Sequence, residues 1–176
     1  MRIRKNLLAS ALIVVFGGLI AEVPAAAWQG SRIASPSAVT RSFFEYHLRR
    51  GCGFTVRDIK DRRDWFTPEL YRLLLHEKER ERAFARQYPD RVPYYDGDPF
   101  TSSQEYPTWF VIGVLTRKPT DAEVEIAFFF GHGKHAERRP ALVRLHLGQG
   151  RWRIDDIIDS RSSSLKQELS RTNYEG

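Results

Sequence analysis

The apolar positions in the second half of the chain recur at every other residue. Val124, Ile126, Phe128 and Phe130 alternate with Glu123, Glu125, Ala127 and Phe129. That period of two predicts a strand with one face in a core and one face wet. Ala141, Val143, Leu145 and Leu147 repeat the pattern against Leu142, Arg144 and His146, and Trp152 and Ile154 continue it. The alternation breaks at Asp155-Asp156 before Ile157-Ile158, which predicts a bulge or a strand end there. Thr108 to Thr116 is apolar on both faces, with Phe110, Ile112 and Val114 against Trp109, Val111 and Leu115. This pattern predicts a central strand covered on two sides. Lys118-Pro119-Thr120-Asp121, the polar stretch Gly131 to Arg139 and the tight Gly148-Gln149-Gly150 separate the four segments. Together they predict an antiparallel meander.

Upstream the period changes to that of a helix. Ser35-Pro36 provides a cap and a first-position proline. Val39, Phe43, Phe44, Tyr46 and His47 then follow at helical spacings up to Gly51. Thr55 to Trp65 predicts a short second helix. Thr67-Pro68-Glu69 starts a third, whose stripe is Leu70, Leu73, Leu74 and Phe84 and which ends near Gln87. Glu77/Arg80 and Glu79/Arg82 are spaced as ion pairs on a solvated helical face. Tyr88 to Pro107 holds Pro89, Pro93, Pro99 and Pro107, with Tyr94 and Tyr95 among them. Its aromatics and prolines predict a long connection that packs down on the domain. Ser162 to Arg171 predicts a short terminal helix. Helices followed by a meander make an α+β domain.

Composition adds a compartment. Arg2, Arg4 and Lys5 precede an apolar run of 15 residues, Leu7 to Ala21, followed by Pro24 and Ala25-Ala26-Ala27. This is the layout of a secretory signal peptide cleaved after Ala27, and the run is shorter than the ~20 residues that span a hydrocarbon core. Contact with a membrane is therefore expected only through an uncleaved signal segment. Residues 28–176 form the mature domain, expected in the periplasm or secreted. Of the 28 basic and 22 acidic residues of the chain, three basic (Arg2, Arg4, Lys5) and one acidic (Glu22) belong to the leader. That leaves 25 and 21 and a net charge of +4. So small an excess gives no reason to expect nucleic acid. Cys52 is the only cysteine, so packing rather than an internal disulfide must hold the fold. The Gly51-Cys52-Gly53 setting fits a small buried residue.

Several short motifs resemble a family of bacterial secreted proteins. They are Asp96-Gly97-Asp98-Pro99-Phe100, Gln104-Glu105, Trp152-Arg153-Ile154-Asp155-Asp156-Ile157, the Leu165 and Leu169 tail, and Phe43-Phe44-Glu45-Tyr46 after Val39. The family is domain of unknown function 3828, which looks like part of the nuclear-transport-factor-2-like, or cystatin-like, superfamily. The resemblance implies N-terminal helices packed on a strongly curved, cone-shaped four-stranded meander. It implies no agreed chemistry.

The candidate pocket or binding residues are Tyr94, Tyr95, Asp98, Glu105, Trp109, Arg153, Asp155 and Asp156. Convergence of Asp98, Glu105, Asp155 and Asp156 would raise one carboxyl pKa and provide a base or a cation site. The plainer expectation is that Asp98 caps its turn and that Asp155 or Asp156 pairs with Arg144, Arg151 or Arg153. His47 is expected to hydrogen-bond locally at the edge of the core. His132 and His135 share a hairpin loop but have no cysteine nearby, and no metal or cofactor is expected. No phosphate-binding glycine loop and no nucleophile elbow occurs. The sequence points to a non-enzymatic periplasmic or secreted protein that binds a small ligand or an envelope protein, the latter reading including inhibitor or immunity roles. The alternative is a carboxylate-based hydrolase or isomerase using a pocket in the cone. A homodimer through the wet sheet face would show as an apolar patch around Phe129 and Leu142; otherwise the chain is a monomer.

Overall fold

The computed structural model describes residues 33–92 and 97–171. Residues 1–32, where a signal segment is expected, and Tyr94, Tyr95 and Asp96 lie outside the described residues. The elements run α1 (Pro36–Arg49), α2 (Val56–Asp61), a 3-10 turn (Arg63–Trp65), α3 (Pro68–Gln87), β1 (Trp109–Arg117), β2 (Asp121–Phe130), a second 3-10 turn (Gly133–His135), β3 (Glu137–Gly148), β4 (Arg151–Ile158) and α4 (Leu165–Ser170). This is an α+β fold with one antiparallel sheet ordered β1-β2-β3-β4. No helix among the described residues is long and apolar enough to cross a membrane.

The helix starts follow their caps. Ser35 Oγ accepts from the Ala38 amide at 3.2 Å, and Thr67 Oγ1 accepts from the Leu70 amide at 3.3 Å. Thr55 and Asp58 form a reciprocal capping box for α2, and Ser164 caps α4. The β3–β4 connection is the two-residue loop Gln149-Gly150. Both residues have positive φ, which suits the twist of a tight hairpin. The register shifts between Arg144 and Leu145, opposite the Asp155-Asp156 break in the alternation.

Phe43 and Phe44 of α1, Leu70 and Leu74 of α3, and Phe66 between them are buried. They meet the even-numbered face of β2 (Val124, Ile126, Phe128) and Val143, Leu145, Ile154 and Ile157. Leu165 and Leu169 of α4 extend this core. The Gly97–Pro107 part of the long connection packs down with Phe100 fully buried. Phe100 stacks on Phe66 at 5.6 Å and meets Phe43 edge-on at 5.3 Å.

Three expectations fail. β1 is an edge strand rather than a central one, and Trp109 and Val111 on its outer face stand 47 % and 45 % exposed. Short hairpins place strands in chain order, so the first strand of a meander falls at the edge whatever its side chains. All the helices that meet it lie on its other face. The supposedly solvated stretch of α3 is partly internal: Glu77 is fully buried and ion-pairs with Arg80, which also donates to the Arg171 carbonyl. Finally, the partner of His47 lies 51 residues away.

Candidate functional site

Two places stand out once the side chains are located. The first is a buried polar cluster under α1. His47 lies on the buried stripe of α1, one turn after Phe43 and Phe44, and its ring stacks on Phe43 at 5.6 Å. Its Nε2–H donates to Asp98 Oδ2 at 2.8 Å, with both side chains fully buried. Asp98 also accepts from Thr101 Oγ1 at 2.7 Å and, through Oδ1, from the Phe100 amide at 3.0 Å. Gly97 makes this turn possible. Its φ is +135°, and a Cβ there would lie 2.6 Å from the Ser103 carbonyl. The Asp98 and Ser103 main chains bond to each other, closing the loop.

Cys52 and Arg62 complete the cluster. Cys52 follows α1 with φ +52°, and its amide bonds to the His47 carbonyl at 3.1 Å. Burial, and then the negative charge of Asp98, push the Cys52 thiol up to about 12 against the pull of Arg62. Arg62 is fully buried; Nη1 donates to the Gly53 carbonyl at 2.5 Å, and Nε and Nη2 have no hydrogen-bond partner among the described residues. Burial lowers its pKa, and the charges of Asp58 and Asp98 oppose that.

The ligating atoms of His47, Cys52 and Asp98 lie within 4.8 Å of one another. Nitrogen, sulfur and oxygen donors of this kind suit zinc. The chemistry around them does not. Asp98 Oδ2 already accepts hydrogen bonds from His47 and Thr101, the thiol holds its proton far above neutrality, and a guanidinium acts on both Cys52 and Asp98. The cluster is a hydrogen-bonded pin that fastens the 97–103 loop to α1.

The thiol gives a direct check. Cys52 should resist alkylation in the folded protein and react at once in denaturant. A folded pKa raised above the unfolded one stabilises the fold below about pH 9, and that contribution disappears as pH rises towards 12. Chemical denaturation across that range should therefore show a steeper alkaline loss in the native chain than in Cys52→Ala. Both residues carry a Cβ, so the backbone strain at φ +52° cancels between them.

The remaining candidate residues do not gather around Asp98. Asp156 is buried and organises the start of α4. It accepts from Ser164 Oγ at 2.7 Å and from the Ile157 and Lys166 amides. Asp155 accepts from Thr67 Oγ1 at 2.9 Å and from Lys166, which also bridges to Glu69. Neither aspartate pairs with Arg144, which goes to Glu123 at 3.0 Å. Arg153 donates to the Gly148 carbonyl and lines an open cleft of about 780 Å³ beside Tyr71 and Phe66. Glu105 is exposed.

Trp109 belongs to the second place, the outer face of the sheet. Its ring stacks on Phe129 with centroids 3.7 Å apart and planes 5° apart. Val111, Ala127, Pro140, Leu142 and Ile158 continue the apolar surface from β1 to β4, around a groove of about 480 Å³. The free edge of β4 is closed by Phe66 and Thr67, whose amide bonds to the Ile154 carbonyl at 2.9 Å. Among the described residues no strand pairs with the outer edge of β1. The alternation of β2 and β3 disclosed this face, whereas nothing in the sequence marked Arg62 or joined His47 and Cys52 to Asp98.

No protein-family model matches the chain, and no curated protein matches it. The functional reading therefore rests on the geometry of these two places.

Proposed function

We propose that the protein is an exported, non-enzymatic binding protein of the cell envelope that recognises a protein partner through the outer face of its sheet. The observation that carries this reading is the apolar strip on β1 and β2, where Trp109, Val111 and Phe129 stand beside an uncovered groove. Contiguous apolar surface rimmed by charge is a common mark of a protein interface. Export rests on the basic, apolar and small-residue segments that end at Ala27. The same proposal includes the likeness to the secreted family domain of unknown function 3828 and its cystatin-like cone. A helix laid against an antiparallel meander is in keeping with both.

The enzyme alternative needs polar groups that converge in one water-excluding pocket. Asp98 and Asp156 instead belong to separate hydrogen-bond networks, each tying a loop or helix start to the core. Both carboxylates already have several donors, which leaves them poorly placed to act as bases.

Affinity capture from a periplasmic extract with residues 28–176 as bait tests this reading. We expect one stoichiometric protein with the native bait and with Arg153→Ala. Val111→Arg should reduce its recovery by about tenfold or more, because a charge is placed in a desolvated contact. Equal recovery by the Val111→Arg bait would overturn the assignment to this face. A bound metabolite retained by the native bait and lost from Arg153→Ala would move the function to the cleft of about 780 Å³.

A further inference from the structure

The outer face also carries two charges with no ion-pair partner among the described residues, and their positions point to what covers it. Along β2 the outward residues are Asp121, Glu123, Glu125, Ala127 and Phe129, and their β3 neighbours are His146, Arg144, Leu142, Pro140 and Arg138. The first two acids are matched within the chain, Asp121 to His146 at 3.0 Å and Glu123 to Arg144 at 3.0 Å. Glu125 instead faces Leu142, and Arg138 faces Phe129. Both are exposed on the rim of the groove, and neither takes part in an ion pair among the described residues. An unmatched acid and an unmatched base thus stand at opposite ends of one apolar strip, with the Ala127–Pro140 pair midway between them.

We propose that this face is covered by a second copy of the chain in a two-fold dimer, packed sheet against sheet. The inference rests on the face being a protein-binding surface and names its occupant. A two-fold axis crossing the strands at the Ala127–Pro140 row exchanges the two ends of the strip. Glu125 of one copy then meets Arg138 of the other, and symmetry makes the contact twice. The aromatic end, Trp109 stacked on Phe129, meets the aliphatic end, Leu142 and Ile158. The small Ala127 at the axis allows the sheets to approach to the ~10 Å of face-to-face packing. Gly113 of β1 lets the Glu125 side chain lie close against the strand, since a Cβ there would fall 3.1 Å from Glu125 Cβ. A face complementary to itself in shape and in charge is what an isologous interface requires.

Sedimentation of the purified mature chain, with charge-reversal variants, tests the proposal. The native chain should show a concentration-dependent dimer. Glu125→Arg and Arg138→Glu each set like charges opposite one another twice, and each should weaken self-association by roughly tenfold or more. An equimolar mixture of the two variants restores both contacts and should dimerise as well as the native chain. That rescue also proves both variants folded, and the double variant should recover in the same way. A native chain that stays monomeric, single variants that dimerise normally, or a mixture no better than its components would each overturn the proposal. If the native chain is monomeric but still captures a different protein through Val111, only the second copy is refuted as the occupant and the binding face stands.

Discussion

Replacing Asp98 by alanine should lower the unfolding free energy by about 3–5 kcal/mol, because three buried donors lose their acceptor at a cost of ~1–3 kcal/mol each. The expected size follows from what the carboxylate holds. His47 Nε2, Thr101 Oγ1 and the Phe100 amide all donate to it from buried positions. Arg62 lies in its field with two donors already unsatisfied. Without Asp98, every one of these groups is left in a dry interior where water cannot replace the lost acceptor. For a domain of this size each kcal/mol corresponds to ~2–4 °C in melting temperature, so thermal unfolding by circular dichroism should move down by roughly 10 °C. Asp98→Asn keeps the shape and one acceptor oxygen and should lose less. Glu105→Ala, at an exposed carboxylate seven residues along the chain, should stay within about 0.5 kcal/mol of the native protein. Equal, small effects at both positions would show that the loop is not pinned through Asp98.

Phe100→Ala should cost a similar ~3–5 kcal/mol, for a different reason. Phe100 is fully buried, lies parallel to Phe66 at 5.6 Å and meets Phe43, His47 and Phe54 edge-on at 5.3, 5.1 and 5.9 Å. Truncation loses the transfer of an aromatic ring and leaves a cavity bounded by side chains of α1 and the turn before α3, which cannot close onto it. Urea denaturation should report the loss as a lower midpoint with an unchanged slope, because the surface exposed on unfolding is nearly the same. Phe100→Leu, which refills part of the space, should recover more than half of it. The two substitutions act on the same short loop, through a polar clasp and an apolar plug. The double variant should therefore fall short of the summed losses, as neighbouring sites do. A fully additive result would mean that clasp and plug hold independent pieces of the chain.

The elements of the fold were legible because their causes are local. Ser35-Pro36 and Thr67-Pro68 start helices through bonds that span three residues. The period of two in β2 and β3 separates a wet face from a dry one without reference to anything distant. The break at Asp155-Asp156 announces the register shift for the same reason. Short connections then leave sequential pairing as the simplest order for four strands.

The sites were legible only in part. Asp98 and Trp109 were marked by the sequence, but their surroundings were not. Asp98 could be recognised as a turn residue. That its carboxylate would be held by a histidine 51 residues earlier, beside Cys52 and a buried Arg62, depends on how α1 lies over the loop, and no local pattern encodes that. Trp109 and Val111 look like core residues because an apolar side chain carries no record of whether another element will cover it.

By itself, then, the amino-acid sequence determined the helices, the four strands, their turns and the α+β class, because caps, periodicity and turn chemistry act over a few residues. Only the tertiary structure decided that β1 takes the edge with its outer face bare, that the candidate aspartates belong to separate networks, and that Glu125 and Arg138 lack an ion-pair partner among the described residues. Each of these depends on which distant segments are brought into contact. Such contacts are made by packing across the whole domain, where the energy of any one pair is small beside the burial of the common core.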